Sequence, residues 1–397
     1  MFSDLPAAPD RVGDLWDISM ARRTGTMLDR PHRVAYVYRT PDTSTFRYRV
    51  ANTVDALNHA DGDIGAAWYC DDELRALLRI VPELDVIVVA RYPWNAALRE
   101  LVQTAQRHGV PLVFDCDDLV FDVRFAEIVM SSLGKDVDVN AEWDVWFAYM
   151  GRLRASLDVC RGATTTNPVL AHQLASYVED APAIVPNVMN REQQAYSREL
   201  LDAKVAGGWR RDDQVTIGYF SGTPSHVRDF AVAGLSLARL LDEDDGVSVR
   251  IVGYLDDLGP LEPHRDRVEF QKFMHYVDLQ RSIAEVEVNI APLSHTAFNI
   301  CKSDLKFFEA AAVGTWTVAS HTPSLDHAID DGVTGRLAKA HEWDGALREA
   351  VALARDTRAY ADHALAAAEV AHSRWSWDAV AEPVARALAP YLGRRTR

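Results

Sequence analysis

Twice along this chain, short apolar runs alternate with stretches of helical length and periodicity. Parallel strands need a crossover of about a dozen residues, which a helix supplies, so the alternation specifies parallel α/β sheets. The first series predicts strands at 32–39, 64–70, 85–90, 110–115 and 162–166, with helices at 71–80, 95–108 and about 141–161. Gly109 stops the second of these helices, and Trp143, Trp146, Phe147 and Leu153 on the third read as core side chains over the first sheet. Residues 190–213 then turn polar, with Gly207-Gly208 and the charged run Arg210–Asp213, and read as a linker. The second series predicts strands at 214–220, 247–253, 268–270, 286–291 and 315–320 and helices at 227–242, 276–284, 304–313 and 342–355. The expected organisation is a first domain at 1–190, a linker at 191–213, a second domain at 214–375 and a tail at 376–397 with a helix at 379–392. Two such blocks make two facing Rossmann-like domains, with ligand held in the cleft between the C-terminal ends of their strands.

Composition narrows the partners. A length of 397 residues accommodates two domains, and a hydrophobic content of 48% with 25% charged residues is that of a globular protein. The net charge of -16 argues against nucleic acid, which needs a basic face. It also disfavours a polybasic grip on anionic lipid, leaving room only for transient membrane contact through a local basic patch. Cys70, Cys116, Cys160 and Cys301 are far apart and contain no CxxC pair, as expected of reduced thiols. No apolar run approaches the ~20 residues of a membrane span, and no signal-peptide core precedes Asp10, so a cytoplasmic protein is expected.

The segment Cys301–Gly314 followed by Thr315–Ser320 reads as a capped helix that ends at a glycine and feeds a strand. Ser303 or Asp304 can cap its first turn, and Lys302, Lys306 and Glu309 fall on roughly one face. Two cations followed by a carboxylate suit a nucleotide-sugar, whose diphosphate takes the cations and whose ribose hydroxyls donate to the carboxylate.

This segment resembles the donor-binding element of group 1, GT-B-fold glycosyltransferases, K-S-x-L-K-x-x-E-A-x-A-x-G. The resemblance implies that Glu309 holds the nucleotide ribose, that Lys302 or Lys306 meets the diphosphate, and that transfer proceeds with retention. Many members carry a second glutamate eight residues before the first, where this chain has Cys301. The closing Trp375-Ser376-Trp377-Asp378 and the helix after it resemble the tail that crosses back onto the first domain.

Other segments converge on the same cleft. Ile217–Phe230 follows a strand and opens a helix. Gly222, Thr223 and Ser225 let backbone bend around a phosphate, and Arg228 either faces the phosphates or pairs with Asp229. It resembles the first donor-domain loop of the family and is not GxGxxG, so no nicotinamide fingerprint is present. Asp115, Asp117 and Asp118, with Asp122 after them, lie just past a strand. They can hold a divalent cation, take a proton from an acceptor hydroxyl, or cap a turn. The resemblance favours acceptor contact by Asp118 and proton handling by Asp117, with no metal required for chemistry. Arg47 or Arg49 is expected to reach into the cleft after the first strand, and His295 and Asn299 to overhang it beside the transferred sugar. The expected function is transfer of a sugar from a nucleotide-diphosphate donor to a glycan, lipid-linked or other acceptor. The alternatives are a nucleotide-sugar 2-epimerase and a non-catalytic GT-B partner subunit.

Overall fold

A computed structural model of the chain describes residues 1–10, 16–222, 227–255 and 257–393. The first sheet contains β1 (His32–Val37), β2 (Ile64–Tyr69), β3 (Val86–Ala90), β4 (Leu112–Asp115), β5 (Gly162–Thr165) and β6 (Ala183–Ile184). The second contains β7 (Val215–Ser221), β8 (Val247–Gly253), β9 (Val268–Gln271), β10 (Val288–Ala291), β11 (Trp316–Ser320) and β12 (Arg336–Ala338). The short edge strands β6 and β12 were not expected; too few residues carry their pattern. Strand order is β2-β1-β3-β4-β5-β6 and β12-β11-β10-β7-β8-β9, and every neighbouring pair is parallel. Both sheets are covered on two faces, which is why strands such as Val-Ile-Val-Val-Ala in β3 are apolar throughout.

The order reverses between β1 and β3 in the first sheet and between β7 and β10 in the second. Crossovers leave in opposite directions at such a point, so a crevice opens beyond the strand ends. The residues just past those ends, Tyr38, Arg91, Gly222 and Leu293, all line one cleft between the domains.

Two segments depart from the expected boundaries. Residues Arg191–Ala206 are a helix rather than a loose linker, capped by the Asn190 side chain. Its Tyr196 and Leu200 pack with Val277, Ile283 and Val313 of the second domain. Gln193, Gln194 and Ser197 are buried through hydrogen bonds to Glu309, the Trp377 N–H and Gln280. Polar composition here marks buried polar contacts, not solvent. Phe2 packs with Trp209 and Tyr360 in the second domain's core, although it precedes the first domain in sequence. The C-terminal helix Ala381–Leu388 does cross back: Val380, Val384 and Leu388 join the first-domain core with Val34, Val86 and Val113. Among the described residues, no helix is long and apolar enough to cross a membrane.

Candidate active site

The interdomain cleft encloses about 1100 Å³, room for a nucleotide-sugar-sized ligand. On its second-domain wall, the helix Leu305–Ala311 buries Phe307, Phe308, Ala310 and Ala311 and turns Lys306 and Glu309 into the cleft. The helix closes at Gly314, whose φ of +65° and 2.8 Å spacing between an added Cβ and Leu201 admit only glycine comfortably. Asp304 occupies the cap position without a side-chain cap bond; burial pushes its carboxyl up to about 6. Ser303 accepts from Asn187 Nδ2 of the first domain at 3.2 Å instead of capping.

Lys306 Nζ donates to the Phe220 carbonyl and lies 5.0 Å from the centre of the Tyr219 ring. Burial, reinforced by the Lys302 charge, pushes its pKa down to about 8. Lys302 sits 3.9 Å from the Asp229 carboxylate. Glu309 accepts from the Tyr48 hydroxyl and from Gln193 Nε2 at 3.2 Å, and Arg47 approaches within 3.6 Å. Val252, Phe273, Met274, Leu279 and Ile283 add apolar side chains to the lining of this wall.

The first-domain wall is assembled from separate segments. A π-helical turn, Arg47–Ala51, breaks the usual helical spacing, as such turns often do at functional sites. Arg47 lies between the Tyr48 and Tyr276 rings, 3.9 and 4.3 Å from their centres. At the end of β3, Arg91 adopts a φ of 42°, uncommon for a side chain other than glycine. It donates to Asp117 (3.1 Å), Asp118 (2.9 Å), Thr45 (3.1 Å) and the Tyr149 hydroxyl (3.2 Å). Burial raises the Asp117 pKa, and Arg91 opposes that shift. Trp146 and Tyr149 complete the wall from the helix Asn140–Leu157.

Residues 215–356 match the family model described as glycosyl transferases, group 1. The second domain is a group 1 glycosyltransferase domain. No curated protein matches the chain. Among solved structures, HepE of Anabaena in complex with UDP and glucose is similar at 14% identity, with TM-score 0.59, over 90% of this chain and 99% of that one. Sucrose-phosphate synthase of Thermosynechococcus elongatus follows at 15% identity and TM-score 0.56, covering 90% and 98%. A glycosyltransferase of Rickettsia africae gives 10% identity and TM-score 0.58, covering 91% and 97%. The fold is GT-B, two facing Rossmann-like domains.

Within the glycosyltransferase domain, Gly222, Arg228, Lys302, Lys306 and Glu309 line the cleft, facing Asp117 and Asp118 of the first domain. Thr223 and Ser225 lie outside the described residues. Arg228 is exposed and reaches across to the Ser131 hydroxyl rather than pairing with Asp229. Three expected contacts lie elsewhere. Arg49 is buried in the first domain, donating to both Asp115 oxygens at 3.0 and 2.6 Å, because the π-helical turn directs Arg47 and Arg49 to opposite sides. His295 is exposed outside the cleft lining. Asn299 is buried and ties Asp229 to the Ser294 carbonyl, at 2.7 and 2.9 Å, which shapes the loop instead of touching the cleft.

The acidic run is divided as well. Asp115 serves Arg49, Asp117 and Asp118 serve Arg91, and Asp122 is held by Arg124 and Tyr177. Among the described residues, no group of His, Cys, Asp and Glu is arranged to hold a metal ion. Cys301 points away from the cleft into the first domain's core beside Phe298, its thiol pushed up to about 12 by burial. Its carbonyl accepts from Asn167 Nδ2 at 2.7 Å, so the position serves domain contact. The side chains expected as core divide too: Leu153 is buried, Trp143 and Trp146 are half-buried against the first-domain core with Trp146 also lining the cleft, and Phe147 is exposed. Sequence reading missed Arg91, Tyr48 and Gln193. The first follows a strand at the switch point and was accessible to inspection; Gln193 lay in apparent linker and carried no signal.

Proposed function

We propose that the protein moves a sugar from a nucleotide-diphosphate donor to an acceptor hydroxyl, in the cytoplasm, with retention and without a required metal ion. The observation that carries this reading is the opposition of Lys302, Lys306 and Glu309 to Asp117 and Asp118 across one cleft. The complexes of HepE with UDP and with UDP-glucose make uridine nucleotides the first donors to test. In this reading the base packs on the apolar lining at Val252, Met274 and Ile283. Ribose hydroxyls replace Tyr48 and Gln193 as donors to Glu309. Lys306 exchanges the Phe220 carbonyl for a phosphate oxygen and, with Lys302, neutralises the charge that grows as the bond from the anomeric carbon to phosphate breaks. The acceptor oxygen bonds to that carbon on the same face, and its proton passes to the departing phosphate oxygen. Asp117 orients the acceptor hydroxyl by accepting its hydrogen bond before transfer.

Asp117 and Asp118 share Arg91, and Arg47 approaches Glu309, which supports a site whose cations are side chains. The net charge of -16 supports a reading without a nucleic acid partner. A thermal-shift panel of UDP-, GDP-, dTDP- and ADP-sugars tests the donor assignment. One nucleotide series should raise Tm, and transfer should survive excess EDTA but fail in Asp117→Asn. A panel with no stabilising nucleotide overturns the donor assignment. Transfer abolished by EDTA and restored by Mg²⁺ or Mn²⁺ overturns metal independence.

A further inference from the structure

The first-domain wall combines two flat rings, two carboxylates and cations that are already paired. Trp146 and Tyr149 lie three residues apart on one helix, both half-buried, with ring centres 5.8 Å apart and planes at 89°. Residues at this spacing share a helix face, and here that face is turned to the cleft. The Tyr149 hydroxyl is held by Arg91, which also clamps Asp117 and Asp118, so rings and carboxylates form one connected surface. The apolar C–H face of a pyranose packs against such rings, while carboxylate oxygens accept strong hydrogen bonds from its hydroxyls.

The cations of this wall are engaged. Arg91 pairs with Asp117 and Asp118, Lys135 lies 3.6 Å from Glu142, and Arg47 lies 3.6 Å from Glu309. Asp42 adds a further carboxylate, bonded to the Tyr38 hydroxyl at 2.7 Å. Arg228 stands on the opposite wall and reaches Ser131. A phosphate or uronate placed against Trp146 would meet the carboxylates of Asp117, Asp118 and Asp42, and would have to break an ion pair of this wall or draw Arg228 from Ser131 to find a cation. Like charges brought together in a cleft are strongly penalised.

We infer that the acceptor is an uncharged glycan, with one sugar ring packed on the Trp146 ring beside Tyr149 and its hydroxyls bonded to Asp117 and Asp118. This rests on the transferase reading above and specifies the acceptor's chemical class. The test applies the full-length protein, labelled and saturated with whichever nucleoside diphosphate the thermal-shift panel selects, to a glycan array carrying neutral, uronate-bearing and phosphorylated oligosaccharides. Binding should be confined to neutral glycans and should weaken roughly tenfold or more in Trp146→Ala, the loss typical of a buried aromatic anchor. Trp146→Phe, which keeps a ring, should retain most of it. If Trp146→Ala melts early, Asp118→Ala, at a half-buried position, should show the same selective loss. Binding restricted to acidic glycans, absent from every neutral one, or unchanged in both alanine variants overturns the inference. Calorimetric titration of the nucleoside diphosphate on the same samples separates the two claims. Intact donor binding without neutral-glycan recognition sinks the acceptor class alone, whereas lost donor binding sinks the transferase reading.

Discussion

The two walls of the cleft are built in opposite ways. The second-domain wall draws Lys302, Lys306 and Glu309 from one stretch of eight residues, on and just before a single short helix. The first-domain wall gathers Tyr48, Arg91, Asp117 and Trp146 from four separate segments. The contrast extends to charge: one wall sets Lys302 against Asp229 and leaves Lys306 on a backbone carbonyl, the other shares an arginine between two aspartates. A wall presented by one helix can carry a linear motif. A wall assembled from several loops cannot, because its spacing exists only after the sheet has formed.

The largest expected effect breaks the lysine wall. Replacing Lys302 and Lys306 together with methionine should lower kcat by about 10²–10³, the loss found when one preorganised donor to a developing anion is removed. Donor affinity should change far less, and single-turnover kinetics separates the two; full turnover in the double variant would remove the lysines from the chemistry.

Next comes Glu309→Ala. Losing hydrogen bonds to a charged acceptor costs roughly 1.5–3 kcal/mol, so nucleotide affinity should fall about tenfold or more. The acceptor KM should stay put if the walls are functionally separate. Unchanged calorimetric affinity for the nucleotide would take the ribose away from Glu309.

A pH profile sharpens the same comparison. Lys306 has its pKa depressed to about 8, by burial first and by Lys302 second. It is therefore protonated below that value and loses its charge as pH rises through it, so kcat/KM should fall about tenfold per unit above the pKa. A bound diphosphate favours the charged form, so the corresponding limb of kcat should lie at higher pH. Burying the charge opposes folding below about 8, and that cost is relieved as pH rises from 8 toward the unfolded value of 10.5. A Lys306→Met profile that keeps the same alkaline limb would assign it to another group.

The smallest effect tests the bridge between the walls. Arg228 is exposed, and Arg228→Ala should change stability by no more than about 0.5 kcal/mol. A larger loss in a chemical-denaturation series would make the contact with Ser131 part of the structure rather than of the cleft's rim.

Much of the fold was legible in the sequence because parallel strands buried on both faces need uninterrupted apolar runs. Most strands announced themselves in that way, although β5 (Gly-Ala-Thr-Thr) and β9 (Val-Glu-Phe-Gln) carry no such run, and β6 and β12, with two and three residues, had too few positions to show a pattern. The segment at Arg191–Ala206 misled for the opposite reason. Its glutamines and serine look solvated by composition, yet Gln193 is buried between Arg47 and Glu309, with a hydrogen bond to each.

By itself, the sequence determined the two parallel sheets and the order of charges Lys302, Lys306 and Glu309. Both follow from local periodicity and from residues within a few turns of one another. Only the tertiary structure decided that Arg47 faces the cleft while Arg49 is buried against Asp115. It alone turned Cys301 into the domain contact and gave Asp117 and Asp118 a shared arginine. Those outcomes depend on which distant group meets a buried charge or thiol, and a buried charge takes whatever partner the packed domains bring to it.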